Sequence, residues 1–292
     1  MCIKKGCLSY NQRISTIEYK FYQDSVDELR SIFDRLTIIA DGMPCVRVKD
    51  PVAKAYVLNW DKDGDGYVSE DEAAQEIYLS PLAGNTKIVT FDEFNKFRYS
   101  NVADQSWFKG CTSLRSASLP LRANAPRTTV PNACFYHCTS LEKVYLPNTI
   151  VEISGESFSG CSSLKEFDFA ILPNIAIIYN GAFLQCGLEK VELPKTLTSL
   201  GASVFNGCQH LKTVIARCEN LPAYGGNMTF ANCSALDSFV IYQEIPPTLG
   251  WNCFQNTFCM FYVPDNAISA YKSASGWSCM QSRIKPISEY KG

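Results

Sequence analysis

From residue 108 onward the apolar positions fall into a recurring phrase. Phe-x-x-Cys occurs at Phe108/Cys111, Phe135/Cys138, Phe158/Cys161, Phe183/Cys186, Phe205/Cys208 and Phe230/Cys233, with the phenylalanines 27, 23, 25, 22 and 25 residues apart. A leucine and an alternating apolar run follow each cysteine, as in Leu141-x-x-Val144-x-Leu146-Pro147 and Leu188-x-x-Val191-x-Leu193-Pro194. Alternation at period two predicts a short strand, and self-similarity at this longer period predicts a stack of coils. A second apolar set precedes the phenylalanine, such as Ile150 and Ile153, Ile175 and Ile178, or Leu197 and Leu200, and predicts the opposite wall of each coil. A shortened seventh unit keeps Phe254, Phe258, Phe261, Val263 and Pro264 and has Thr257 where the cysteine would stand.

The repeat changes the meaning of the 14 cysteines. Six of them occupy one register position, so they are expected to be reduced, buried thiols stacked in a column and not partners in a disulfide framework. The nearest approach to a zinc site is Cys134, His137 and Cys138, whose spacing lacks a second ligand pair. The remaining cysteines show no register.

Phe-x-x-Cys-[Ser/Thr]-Ser-Leu-x-x-Val-x-Leu-Pro resembles the BspA-like leucine-rich repeat of gut and oral anaerobes, over roughly residues 103–264. The resemblance implies an α/β repeat fold, a right-handed leucine-rich-repeat solenoid with parallel strands in about seven coils. The segment from Tyr262 through Asp265, Ile268, Tyr271 and Trp277 to Ile287 is similar to that family's C-terminal cap. A cap is also a physical necessity, because the last open coil must be covered, and Asp265 is placed to N-cap a short helix burying Ile268 and Tyr271.

Ahead of the repeats, residues 61–72 read Asp-Lys-Asp-Gly-Asp-Gly-Tyr-Val-Ser-Glu-Asp-Glu, the spacing of an EF-hand calcium loop. The pattern makes Asp61, Asp63 and Asp65 carboxylate ligands, Tyr67 a backbone-carbonyl ligand, Ser69 a direct or water-mediated ligand and Glu72 the bidentate closing ligand. Hard oxygen donors with high coordination favour Ca2+ over transition metals, and the competing reading is an acidic surface turn. Asp50-Pro51 predicts the start of an entering helix, and Glu70 to Tyr78 an exiting one. A second piece, Ile88 to Phe94, aligns Val89 with Val68 and is expected to pair with the first loop without binding metal. The Asn-Trp-Asp opening and Phe-Asp-Glu-Phe helix resemble the unit that precedes such arrays in some gut-bacterial members, which implies that calcium stiffens the junction.

Ser25-x-x-Glu28 is a capping box that predicts a helix over about 24–36, either packed on the calcium unit or the remnant of a longer region. The expected division is thus 1–46 as a helical lead segment, 47–100 as the EF-hand-like unit, 101–264 as repeats and 265–292 as the cap. Lys+Arg 27 against Asp+Glu 29 leaves a net charge of −2, which argues against a nucleic-acid partner. No stretch has transmembrane length and no secretory apolar run opens the chain, so no membrane insertion is expected.

Two histidines, His137 and His210, both at turn positions, and the absence of a nucleophile elbow, phosphate loop or zincin motif point away from an enzyme. A binding face is expected instead on the outward positions of the strands: Lys143, Tyr145, Glu166, Asp168, Lys190, Glu192, Ile215, Val240, Tyr242 and Tyr262. Lys143, Glu166 and Lys190 would form an alternating charge row, and the 213–262 end is the more apolar contact surface. The leading expectation is a non-catalytic binding or adhesion module for a protein or glycan ligand, with secretion or cell-surface location implied by the resemblance. The alternative is an intracellular or phage-encoded interaction scaffold.

Overall fold

The computed structural model describes residues 45–75, 81–99, 106–122, 128–218, 223–224 and 226–292. The helix expected over about 24–36, and Cys2 and Cys7, lie outside these residues.

The recurring phenylalanine is the axis of the molecule. Phe108, Phe135, Phe158, Phe183, Phe205, Phe230 and Phe254 stack face to face with centroids 5.1–5.6 Å apart and interplanar angles of 7–11°. Apart from the half-buried Phe254, they are fully buried. Each such ring removes enough apolar surface from water to be worth about 1.5–3 kcal/mol. The cysteine three residues on seals the joint between coils. The thiols of Cys138, Cys161, Cys186, Cys208 and Cys233 donate to the carbonyls of Phe108, Phe135, Phe158, Phe183 and Phe205, with Sγ···O of 2.8–3.2 Å. Thr257 makes the same bond to Phe230 at 2.7 Å, which is why a hydroxyl can replace the thiol there. None of the described cysteines is in a disulfide, and burial pushes the ladder thiols up, to about 11 at Cys111 and about 12 at Cys233.

The phenylalanine is held by a backbone device that repeats in every coil. Residues two before it (Ser106, Ala133, Glu156, Gly181, Ser203, Met228, Asn252) and two after it (Gly110, His137, Gly160, Gln185, Gly207, Asn232, Asn256) all have φ between +50° and +76°. These left-handed residues turn the N–H groups at both positions, and that of the phenylalanine between them, toward the next coil. From Phe108 to Phe230 each coil makes the same three bonds. Those of Phe158 are typical: Glu156 N–H to Asn180 O at 3.1 Å, Phe158 N–H to Ala182 O at 2.8 Å and Gly160 N–H to Leu184 O at 2.7 Å. Most of these positions are not glycine and carry left-handed strain. Replacing the exposed Glu156 by glycine should therefore raise stability by roughly 0.5–1 kcal/mol in urea unfolding, because relief of that strain outweighs glycine's backbone entropy. A loss of stability would show the turn is not strained.

The strands are parallel throughout but do not form one uninterrupted sheet. Thr90–Phe91, Ser116–Ser118 and Lys143–Tyr145 make one sheet, and Lys190–Leu193, Thr213–Ala216, Ser238–Ile241, Met260–Val263 and Ile284–Pro286 another. The opposite wall carries Thr129–Val130, Glu152–Ile153, Ile177–Ile178 and Ser199–Leu200, whose Val130, Ile153, Ile178 and Leu200 are buried. Between the two main sheets the expected strand at Leu164–Phe169 is absent. Phe167 brings a large ring into the phenylalanine stack, 5.4 Å from Phe158 and 4.9 Å from Phe183. The chain then turns into a 3-10 helix at Phe169–Ile171, capped by the Asp168 carboxylate on the Ala170 N–H at 2.8 Å.

The sheet begins earlier than the first Phe-x-x-Cys. Thr90–Phe91 pairs with Ser116–Ala117, Gly84 N–H donates to Lys109 O at 2.7 Å, and the Cys111 thiol donates to Leu82 O at 3.2 Å. The piece around Val89, expected to pair with Val68, is thus part of the coil stack. Val68 pairs instead with Val46, whose N–H donates to its carbonyl at 2.8 Å, beside an antiparallel bridge between Cys45 and Ser69.

At the other end Ile268–Ser273 is helical and Tyr271 is fully buried, its hydroxyl donating to Gln243 O at 2.8 Å. Asp265 does not cap that helix; its carboxylate accepts from the Ser288 N–H at 3.2 Å. Trp277 closes the interior against Phe261, 5.3 Å away, and Phe254, 6.3 Å away. Phe258, expected in the last coil, is 82% exposed, because Cys259 and Phe261 take the inward places.

Candidate functional site

The acidic loop is positioned by helices on both sides. Asp50 caps Pro51–Val57, accepting from Val52 and Ala53, and a 3-10 turn at Leu58–Trp60 delivers the chain to Asp61. Trp60 is fully buried, and its indole N–H is shared between Gln75 O at 3.2 Å and Arg98 O at 3.3 Å. The described exiting helix is short, Glu70–Ala73, and residues 76–80 lie outside the described chain.

The carboxylate oxygens of Asp61, Asp63 and Asp65 come within 4.8 Å of one another. Loop N–H groups fix them: Gly64 and Gly66 donate to Asp61 at 2.8 and 2.9 Å, Asp65 to Asp63 at 3.1 Å, and Tyr67 to Asp65 at 2.8 Å. Gly66, at φ +84°, supplies the left-handed turn that lets its N–H point inward. Glu72 is not part of that three-carboxylate cluster; it accepts from the N–H groups of Lys62 at 2.8 Å and Ser69 at 2.9 Å and from the Ser69 hydroxyl at 3.0 Å. Burial works against its charge, but these hydrogen bonds outweigh it and hold the Glu72 carboxyl below the usual range. Val68 points inward and is buried. The loop therefore gathers an all-oxygen, hard, anionic donor set that suits a divalent cation of calcium's type.

Asp50 connects this loop to the coils. Its second carboxylate oxygen accepts from the N–H groups of Val89 at 2.9 Å and Thr90 at 3.2 Å, at the start of the first strand. Partial burial raises its pKa, and the four backbone donors together lower it below the ordinary value. Asp50→Ala should cost roughly 2–4 kcal/mol, the loss of a helix cap plus two stranded donors. Because the folded pKa is depressed, the contribution is complete above the unfolded value of about 3.9 and fades as pH falls through the folded pKa. Urea melts of wild type and Asp50→Asn between pH 3 and 7 should therefore converge only at the acid end.

The strand face departs from the sequence expectation in several ways. Ile215 is 8% exposed and Val240 1% exposed. In register they form one row with Glu192 and Tyr262, flanked by Arg217 and Tyr242 two residues further on. Arg217 pairs with Glu192 and lies 5.1 Å from the Tyr242 ring, and Tyr262 packs 5.1 Å from Tyr290. Glu166 and Asp168 lie outside any strand, so the row of Lys143, Glu166 and Lys190 does not form. Lys143 instead lies over Tyr145, 4.7 Å from its ring.

The charge alternation runs one residue after each leucine, through Arg115, Glu142, Lys165, Glu189, Lys212 and Asp237. Arg115 pairs with Glu142 at 2.7 Å, and Glu189 with Lys212 at 3.3 Å and Lys165 at 3.9 Å. These exposed pairs are each worth about 0.2–1 kcal/mol and order neighbouring coils. Reading the register one place earlier would have found the row, and continuing the alternation past the fourth place would have found Arg217.

Residues 128–260 match the family described as BspA type leucine rich repeat region, in 6 copies. This segment is similar to a run of BspA-type leucine-rich repeats. The similar solved structures include leucine-rich repeat proteins. One from Bacteroides ovatus is 19% identical over 67% of this chain and 49% of its own, with a TM-score of 0.45. The pneumococcal vaccine antigen PcpA is 22% identical over 52% of this chain and 41% of its own, with a TM-score of 0.42. The Treponema pallidum leucine rich repeat protein is 21% identical over 74% and 84%, with a TM-score of 0.39. The chain thus spans less than half the length of the first two. No curated protein matches. Among the described residues no helix is long and apolar enough to cross a membrane.

Proposed function

We propose that the protein is a non-catalytic binding module, secreted or on a cell surface. In this reading the leucine-rich repeats, counted as seven coils, present a strand face to a protein or glycan ligand, and Ca2+ in the 61–72 loop stiffens their approach. The observation that carries the reading is the outward side of the Lys190–Pro286 sheet. There an ion pair joins Glu192 to Arg217, Arg217 lies against the Tyr242 ring, and Tyr262 sits in register beside the buried Val240. Arginine and tyrosine are the side chains that most often anchor partners, because they combine large contact area with directed hydrogen bonds. The loop's oxygen donors, each pinned by a backbone N–H or a capping bond, support the calcium assignment.

The test is a binding screen against extracellular matrix and cell-surface proteins and a glycan array, with wild type beside Arg217→Glu combined with Tyr242→Ser. The partner's affinity should drop by about 30-fold or more in the variant, as for two anchor residues. Equal binding by both proteins would remove the strand face from consideration.

A further inference from the structure

The hydrogen-bond ladder beside the phenylalanine stack stops at the last coil. In each coil from Phe108 to Phe230 the N–H groups two before, at and two after the phenylalanine meet three carbonyls at alternate residues of the following coil. Those of Phe230 are typical: Met228 to Trp251 O at 2.9 Å, Phe230 to Cys253 O at 2.9 Å and Asn232 to Gln255 O at 2.8 Å. The equivalent N–H groups of Asn252, Phe254 and Asn256 meet no acceptor among the described residues. Asn252 and Asn256 nevertheless keep the left-handed φ of +54° that aims the row.

The cap leaves this edge open while closing what surrounds it. Trp277 covers the Phe254 ring, and the Arg283 guanidinium donates to Thr257 O at 3.2 Å and lies 5.9 Å from the Phe258 ring. Trp251, 67% exposed, and Phe258, 82% exposed, stand at the two ends of the three-donor row. The asparagine ladder also runs out here. Asn256 donates to Asn232, which donates to Asn206, both at 2.9 Å.

We propose that this edge is a docking site for an extended segment of a second polypeptide, which supplies three carbonyls at alternate residues. The occupant follows from polarity. Two copies of this end carry donors only, so they cannot pair tail to tail. At the opposite end the first coil is tied to the 45–75 unit through Asp50, whose carboxylate accepts from the Val89 and Thr90 N–H groups, and that unit obstructs head-to-tail growth. Main-chain pairing at an uncovered edge gives affinity, and the flanking aromatic side chains give contact area. Trp277 occupies the place where the next ring of the stack would lie, so the segment carries a small residue at its centre. This edge is separate from the strand face, and its test can fail without touching that reading.

The probe is the acetylated, amidated heptapeptide Tyr-Asn-Gly-Ala-Ala-Leu-Gln. It is the sequence of residues 179–185 with Phe183→Ala, and within the chain the carbonyls of Asn180, Ala182 and Leu184 accept this same donor triplet. Titrated into the 15N-labelled full chain, it should saturably shift the amide signals of Asn252, Phe254 and Asn256 and slow their hydrogen exchange. Trp251→Ser with Phe258→Ser, both exposed and removable without disturbing the core, should bind about tenfold more weakly, as for lost aromatic anchors. Three outcomes overturn the proposal. These are no shift at the three amides, the same shifts produced by inorganic phosphate, and peptide binding unchanged in the double variant.

Discussion

Phe183→Ala is expected to cost about 3–5 kcal/mol in urea unfolding, the range for removing a fully buried aromatic ring. The ring has no exposed surface and lies 5.1 Å from Phe158 and 5.6 Å from Phe205, with Phe167 and Phe169 edge-on at 4.9 and 5.9 Å. Those neighbours are pinned by their own coils, so the cavity cannot collapse. Position in the array adds a second effect. A solenoid's stability is close to a sum of unit terms and nearest-neighbour interfaces, and a mid-array cavity weakens two interfaces at once. The melt should therefore broaden or split. A cost under about 1 kcal/mol, or an unchanged single transition, would mean the stack is not the stabilising axis.

Calcium should produce the other large change. Titration calorimetry on the wild type should show one binding event, and Asp61→Ala combined with Glu72→Ala should abolish it. Free calcium at 100 times Kd should add about 2.7 kcal/mol to the stability of the lead-in unit, and chelation should remove it. The protonation state favours binding over most of the pH range. Glu72's carboxyl is held below its ordinary value, so the ligand stays ionised until the pH falls below that value. Equal heats from wild type and the double variant would reduce the loop to an acidic surface turn.

The architecture was legible because one period fixes many residues together. Phe-x-x-Cys marks the inside of each coil, and stacking equivalent residues requires each to meet its own kind, as the phenylalanine and thiol columns do. The clustering of Asp61, Asp63 and Asp65 was legible for a related reason, since the residues that converge lie within a single stretch of chain. What sequence did not reveal were effects that depend on neighbours from other coils. Ile215 and Val240 have outward parity but are buried, and the partners that flank them, Glu192 and Tyr262, lie on strands that only register brings alongside. At Leu164–Phe169 the alternation is intact, yet the Asp168 carboxylate caps a 3-10 helix at Phe169–Ile171, and that side-chain-to-backbone bond stands where the strand would run. Val89 matched Val68 in spacing, and only three-dimensional pairing shows that Val46 takes that partner.

The left-handed residues beside each phenylalanine send every N–H of that row in the same direction along the stack. The molecule is therefore a polar rod whose two faces of growth differ chemically, as the two ends of a filament do. Each coil receives through the same kind of carbonyls and gives through the same kind of amides as its neighbours. A gene encoding such units can accordingly gain or lose one by duplication or deletion without redesigning either terminus. Length becomes a freely variable trait, while the lead-in at one end and the cap at the other stay as they are.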